Sequence, residues 1–123
     1  SVREFELATA QEDDVMLLGD FNVEPKDYGP MKEIPGWGWV IHDQPTNTIK
    51  TRIWDNIMLD RSFTNEFTGR AGVLDLESLF NISHEDAKAI SDHLPVWAEF
   101  YITEQPYGTP SLSAGQTFPA AMR

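Results

Sequence analysis

The sequence has no cysteine, few basic residues and no long apolar run. Without cysteine the chain has no disulfide, no thiol nucleophile and no cysteine-based zinc site. Its apolar runs fall far short of the roughly 20 residues that a membrane-spanning helix needs, and its N-terminus does not resemble a signal peptide. A cysteine-free chain works in any redox compartment, so the location stays open. The lack of a disulfide and of a signal leans towards an intracellular protein.

The charge balance is strongly acidic: 20 acidic residues face nine basic ones, and the formal net charge is -11 over 123 residues. With 41% hydrophobic residues, the chain is large enough for one globular domain. Nucleic acid and anionic membranes repel such a chain at long range. If the protein acts on a phosphodiester, a divalent cation must neutralise the substrate locally, and clustered carboxylates suit magnesium or calcium.

One stretch organises the rest of the chain, the run Val-Met-Leu-Leu-Gly-Asp-Phe-Asn at 15–22. Its first four residues predict a strand buried on both faces. Asp20 and Asn22 follow at the C-terminal edge, where ligands bind in α/β sheets. Being two apart, they point the same way in extended chain, with Phe21 turned into the core. A polar turn that closes the strand is the alternative interpretation.

The remaining pattern predicts an α/β sheet layer over residues 1–103 rather than a helix bundle. A weak helical period covers 2–10, Ser83 opens a capping box, and 104–123, rich in Pro, Gly, Ser and Thr, is predicted to be a flexible tail. Strands are predicted over 39–41, 53–59, 67–74 and 94–102, a short helix over 30–34 capped by Asp27, a helical or irregular piece over 75–80, and a helical turn over 84–90.

Polar pairs interrupt or end three of the apolar strands. These pairs are Asp20 with Asn22, Asp55 with Asn56, and Asp92 with His93. Buried acids are costly unless they are paired or bind a metal, so three such pairs in one short chain predict a single site. The residue types suit metal-assisted hydrolysis of a phosphate ester. A carboxylate orients water, a histidine held by an aspartate donates a proton, and an asparagine donates to phosphate oxygens.

Three motifs resemble signatures of the endonuclease/exonuclease/phosphatase superfamily, in the right order: Gly-Asp-Phe-Asn at 19–22, Trp-Asp-Asn-Ile at 54–57 and Ser-Asp-His-Leu-Pro-Val at 91–96. The last motif is most similar to the deoxyribonuclease I branch. The resemblance covers about residues 14–100. It implies the C-terminal half of a four-layered α/β sandwich with two facing sheets, from a metal-dependent phosphodiesterase, most simply an endonuclease that cleaves DNA.

The resemblance also implies roles for individual side chains. Asp20 orients or activates the attacking water near the metal, and Asn22 contacts the phosphate. Asp55 orients the ring of His93, which acts as acid/base or stabilises the transition state. Asp92 and Asp20 serve the metal, expected to be Mg²⁺ with Ca²⁺ or Mn²⁺ as alternatives. The predicted substrate-binding residues are Asn22, Thr46, Thr48 and Arg52.

Plainer interpretations exist for several of these residues. His93 alone is an ordinary polar side chain, Arg52 is a solvated strand end, and tryptophans that could stack on bases are usually packing residues. Related activities on RNA, phospholipids or inositol phosphates share the motifs. A catalytically silent binding scaffold is the alternative from another class.

The superfamily's N-terminal half supplies a metal-binding Glu and, in the deoxyribonuclease I branch, a second catalytic His. Neither has a counterpart before Asp20, so we expect the chain to be a fragment that is inactive alone. The missing half is the expected partner, besides nucleic acid as substrate. Without it, alternate apolar residues of 15–18 and 94–100 should be exposed.

Overall fold

The structure, a computed structural model, describes residues 14–103. The predicted helix over 2–10 and the predicted tail over 104–123 lie outside the described residues. Strands and short helices alternate along the chain. In order they are β1 (Met16–Asp20), two 3-10 helices (Pro25–Asp27 and Gly29–Glu33), β2 (Trp37–Trp39), β3 (Asp55–Asp60), β4 (Phe67–Val73), α1 (Leu76–Phe80), α2 (His84–Ile90) and β5 (Val96–Phe100).

The strands form two sheets, one in the order β1-β3-β2 and the other made of β4 and β5. The mixed α/β class agrees with the prediction. Every strand pair within residues 14–103 is antiparallel, so the polar strand ends do not meet as the aligned C-terminal ends of parallel strands. The polar strand ends meet for another reason: the C-terminal end of β1 lies beside the N-terminal start of β3.

The main hydrophobic core lies between the two sheets. Its buried centre consists of Val40, Ile41, Ile57 and Leu59. Side chains at alternate positions of a strand share one face, and Ile57 and Leu59 are such a pair on β3. Partly buried side chains from β4, β5 and the segment before β3 cover this centre: Ile53, Phe67, Ala71, Val73, Val96, Ala98 and Phe100.

A second cluster fixes the helices to the end of the sheet, through buried Leu76 of α1, Ala87 of α2 and Leu94. Both helices begin at a side-chain cap. Asp75 accepts a hydrogen bond from the backbone N–H of Glu77. Ser83 accepts one from the N–H of Asp86 and donates its hydroxyl to the Asp86 carboxylate, so it is the predicted N-cap, although the bond back to the Ser83 N–H that completes a capping box is not among those of the described residues.

β1 differs most from its prediction, because its side chains are exposed rather than buried on both faces. Leu18 is 67% exposed and Met16 is 46% exposed. β1 is an edge strand whose only partner among residues 14–103 is β3. Exposure was expected at alternate positions of 15–18 and 94–100, but Met16, Leu17 and Leu18 are all exposed, and β5 is partly buried against the core.

Smaller differences concern element ends and one helix. β2 begins two residues before its predicted start, and β5 is shorter than predicted at both ends. A 3-10 helix at Gly29–Glu33 replaces the predicted helix over 30–34, and Asp27 belongs to the preceding 3-10 helix instead of capping it. The predicted glycine kink in β4 lies at Gly69, where φ is 86° and the strand register shifts. No helix within residues 14–103 has the length and apolarity to cross a membrane.

Candidate active site

Strand register places two carboxylates next to each other. Asp20, the last residue of β1, pairs with Asp55, the first residue of β3. Directly opposed residues of an antiparallel pair share one face, with Cβ atoms roughly 4.5–5.5 Å apart. The same face carries the opposed pair Leu18 and Ile57, so both carboxylates lie on the core side of the sheet, at its end.

His93 approaches this carboxylate pair from the segment before β5. Its Nδ1 lies 2.8 Å from Oδ2 of Asp55, and its Nε2 lies 3.9 Å from Oδ2 of Asp20. The first distance is a hydrogen bond. The second is too long for a hydrogen bond, and an oxygen atom that bonds both groups would have to lie to one side of the line that joins them. The ring of Trp54 packs 6.1 Å from the ring of His93.

These contacts raise the pKa of His93 above its ordinary value. The hydrogen bond to Asp55 is the largest cause, because the carboxylate stabilises the charged imidazolium. Partial burial lowers the pKa, and the negative charges of Asp55, Asp20 and Asp92 raise it further. The side chain of His93 remains 30% exposed, so a substrate can reach it.

Asn22 holds the carboxylate of Asp20. Its backbone N–H donates to Oδ1 of Asp20 at 2.9 Å, and its side-chain Nδ2 donates to Oδ2 at 3.0 Å. The chain can fold back in this way because Asn22 adopts the left-handed conformation, with φ of 53°, which Asn tolerates better than most residues. Asp20 and Asn22 are therefore brought together by a turn and not by strand alternation.

Thr46 forms hydrogen bonds to the backbone beside both members of the histidine–aspartate pair. Its hydroxyl accepts hydrogen bonds from the backbone N–H groups of Trp54 and Asp55, at 2.9 and 3.0 Å. Its carbonyl accepts the N–H of Leu94, the residue after His93, at 2.6 Å. Thr46 is completely buried. It fixes the start of β3 against the segment that carries His93.

Thr48 performs a similar structural task. Its hydroxyl donates to the carbonyl of Ser91 at 2.6 Å, and its N–H donates to the carbonyl of Asp92 at 2.9 Å. Thr48 is only 1% exposed. The predicted substrate contacts of Thr46 and Thr48 stay predictions; among the described residues both hydroxyls are buried and bond the backbone.

Two other predicted site residues stand apart from the Asp20–Asp55–His93 group. Asp92 is exposed and is not among the three residues whose ligand atoms converge; its side chain acts on His93 only through its charge. Arg52 is half-exposed and forms an ion pair with Glu24 at 3.3 Å. A role for Asp92 at the metal and for Arg52 at the substrate remains a prediction.

Two asparagines that support the site were not predicted to do so. Asn56, expected to interrupt a strand, is fully buried; its side chain bonds the backbone of Val40 and Ile41. Asn47 accepts from the N–H groups of Thr51 and Arg52 and forms a β-bridge to His93. The role of Asn47 could not be predicted, because one asparagine in a polar loop has no distinguishing sequence pattern.

The residues present fit part of a divalent metal site. Asp20, Asp55 and His93 each offer a ligand atom, and these atoms lie within 4.8 Å of one another. Because Asp55 and Nδ1 of His93 already bond each other, Asp20 is the carboxylate left for an ion. Magnesium takes six ligands, mostly oxygen, and retains water. Asp20 can therefore fill one position, with the others left to water, substrate or further protein groups.

The fold and the site together define a class of protein: mixed α/β domains in which one carboxylate orients a histidine and a second carboxylate faces the other nitrogen of its ring. No family model matches the chain. The chain is 31% identical over 104 residues to deoxyribonuclease-1-like 1 of Chlorocebus aethiops. The aligned segment covers 76% of this chain and 34% of that protein. The human protein of the same name is 30% identical over 104 residues, with the same shares. Deoxyribonuclease gamma of Rattus norvegicus is 32% identical over 94 residues, 66% of this chain and 30% of that protein.

The chain belongs to the deoxyribonuclease I-like superfamily. It spans about a third of the length of these curated relatives, less than the half that the motifs suggested. The three motifs in this chain fit a segment from the C-terminal part of such a protein.

Proposed function

We propose that the protein containing this chain is a divalent-metal-dependent phosphodiester hydrolase, and that its substrate is DNA. The observation that carries the proposal is the convergence of Asp55, His93 and Asp20, in which one carboxylate orients the ring and the other faces its free nitrogen. The similarity to deoxyribonucleases supports DNA over other phosphodiesters.

His93 is the proposed acid and stabiliser of the reaction. The hydrogen bond between Asp55 and Nδ1 fixes the ring, so that Nε2 points towards Asp20 and the substrate. The raised pKa keeps more of the ring protonated near neutral pH. A protonated Nε2 donates a hydrogen bond to a phosphate oxygen, where negative charge develops in the transition state.

Asp20 is the residue proposed to orient or activate the attacking water. Both its oxygens accept a hydrogen bond from Asn22, and each keeps a lone pair for water or a metal ion. Oδ2 of Asp20 and Nε2 of His93 lie 3.9 Å apart, so one water or phosphate oxygen beside them could bond both side chains. Asn22 is thus a positioning residue for Asp20, and contact of its remaining amide donor with phosphate is part of the proposal.

A divalent ion, Mg²⁺ with Ca²⁺ or Mn²⁺ as alternatives, would be held by Asp20 and would neutralise the phosphate. The acidity of the chain gives a physical reason for this requirement, since a net charge of -11 repels a polyanion unless a cation stands between them. The metal-binding positions that Asp20 does not fill are proposed to come from a preceding part of the protein, because the relatives are about three times as long as the matched segment.

The experiment uses the protein at its natural length, with supercoiled plasmid DNA and Mg²⁺. We expect nicking that EDTA abolishes, that His93→Ala reduces by about 10²-fold or more, and that His84→Ala leaves unchanged. His84 is the matched control because it is an exposed histidine paired with Glu77, outside the proposed site.

Each part of the proposal has a result that contradicts it. Nicking by His93→Ala at the rate of the unsubstituted protein would remove the histidine from the reaction. Hydrolysis of RNA, phospholipid or inositol phosphates without any cleavage of DNA would contradict the substrate. Lack of hydrolysis of all four classes would favour a binding scaffold.

A further inference from the structure

Three basic side chains gather around one carboxylate, in a chain whose net charge is strongly negative. Nζ of Lys26 lies 3.1 Å from Oε2 of Glu24, and Nη1 of Arg52 lies 3.3 Å from Oε1 of the same carboxylate. Lys32 stands beside them, because its Nζ donates a hydrogen bond to the carbonyl of Lys26 at 2.9 Å. The hydrogen bonds from Lys26, first, and from Arg52 lower the pKa of Glu24. The carboxylate therefore stays charged and holds two cations in place.

The contacts of this basic cluster leave positive charge unmatched. Its three cations carry three charges against the single negative charge of Glu24. The other acids of the two 3-10 helices, Asp27 and Glu33, form no ion pair with a described residue. The side chain of Lys26 is 70% exposed and that of Arg52 is 54% exposed, whereas that of Glu24 is only 22% exposed. An anion from solvent can therefore reach the cations.

Two loops bring the basic cluster close to the proposed active site. Glu24 follows Asn22 by two residues, a span of at most about 7 Å. Arg52 donates its backbone N–H to the side chain of Asn47 at 2.8 Å, and Asn47 forms a β-bridge to His93. The cluster thus joins the loop that follows β1 to the loop that leads into β3, and the ends of these two strands carry the site.

Each phosphate of a DNA strand has neighbours that carry the same charge. Arg binds phosphate through its planar fork of N–H groups, and Lys binds it as a point charge. We propose that Lys26, Lys32 and Arg52 bind a phosphate next to the one that is cleaved, an inference that rests on the proposed function and deepens it. Glu24 is then a positioning residue, since it holds two of the cations. This second phosphate site offsets, close to the reaction, the repulsion between an acidic chain and a polyanion.

The test uses the protein at its natural length and measures both cleavage and binding of DNA. In plasmid nicking with Mg²⁺, Lys26→Gln and Arg52→Gln should each raise KM by about three- to tenfold with kcat nearly unchanged, because a contact to an uncleaved phosphate contributes equally before and during the reaction. The plot of log KM against log salt concentration should become shallower by up to about one. Binding of a fluorescein-labelled duplex by the His93→Ala protein, measured by fluorescence anisotropy, should weaken by a similar factor when either substitution is added.

Lys88→Gln is the charge-matched control, since Lys88 is exposed on α2 and lies outside the basic cluster. An equal rise of KM in this control would reduce the effect to general electrostatics and overturn the site. Unchanged KM and unchanged duplex binding in Lys26→Gln and Arg52→Gln would also overturn it, as would a fall in kcat at constant KM, which would place the cations on the cleaved phosphate. Duplex binding that both substitutions weaken, in a protein that never nicks plasmid, would refute the proposed function and leave the phosphate site standing.

Discussion

Nδ1 of His93 lies 2.8 Å from Oδ2 of Asp55, although 38 residues separate them in the sequence. This hydrogen bond fixes one ring nitrogen and leaves the other facing Asp20. The pair is reached only because β3 starts where the segment before β5 passes, and Thr46 bonds both places.

Asp55→Asn should lower the pKa of His93 and reduce turnover by about 10²-fold or more. The neutral amide no longer stabilises the imidazolium but can still accept the Nδ1 hydrogen bond, so folding is preserved. An NMR titration of the histidine ring signals measures the pKa. His84, paired with Glu77, serves as the internal control, and an unchanged pKa of His93 would contradict the assignment.

The same pair should make stability depend on pH in a defined direction. The pKa of His93 is raised in the folded state, so the folded chain holds its proton more tightly than the unfolded chain. This stabilisation is complete below the unfolded pKa of about 6.5 and is lost as pH rises through the folded pKa. Urea unfolding across this window should show the unsubstituted protein losing its advantage over Asp55→Asn. A constant difference at every pH would argue against the linkage.

Substitutions of Asn22 should separate conformation from side-chain chemistry. Asn22→Gly adopts the left-handed backbone without strain, whereas Asn22→Ala should be less stable than the Gly variant by about 1 kcal/mol. Both lose the amide that holds Asp20, so both should lose about 10²-fold in turnover. Thermal unfolding and plasmid nicking measure the two effects. Full activity in the Gly variant would show that the amide does not position Asp20.

Thr46→Val should destabilise the protein by about 2 kcal/mol, because the N–H groups of Trp54 and Asp55 lose their buried acceptor. It should also lower the pKa of His93, since Asp55 is less firmly placed. Thr46→Ser keeps the hydroxyl and should restore the pKa. A Val variant with reduced stability but an unchanged pKa would limit Thr46 to folding.

The 123-residue chain alone should not hydrolyse plasmid DNA, with either Mg²⁺ or Ca²⁺. Of the three converging side chains, Asp20 is the carboxylate that does not bond the histidine ring, and one carboxylate binds magnesium weakly. The exposed Leu17 and Leu18 of β1 should also promote self-association. Nicking assays and light scattering on the isolated chain measure both. EDTA-sensitive cleavage by the isolated monomer would contradict this expectation.

Local features were predictable from sequence because neighbouring residues decide them. The caps at Ser83 and the glycine kink in β4 depend on spacing within a few residues. The order of the three motifs led to the superfamily in the same way. Asp20, Asp55 and His93 could be named as candidates because an acid or histidine at the end of an apolar strand is costly without a partner.

The rest depended on contacts between distant segments. Only the register of β1 on β3 places Asp20 opposite Asp55, and a shift by one residue would turn the side chains of β1 to the other face. Only packing decides that Thr46 is buried and bonded to backbone while β1 lies exposed at a sheet edge. The sequence thus determined which candidate groups the chain carries and in what order they occur. Tertiary structure decided which of them meet, because burial and register are set by pairing between strands that are far apart along the chain.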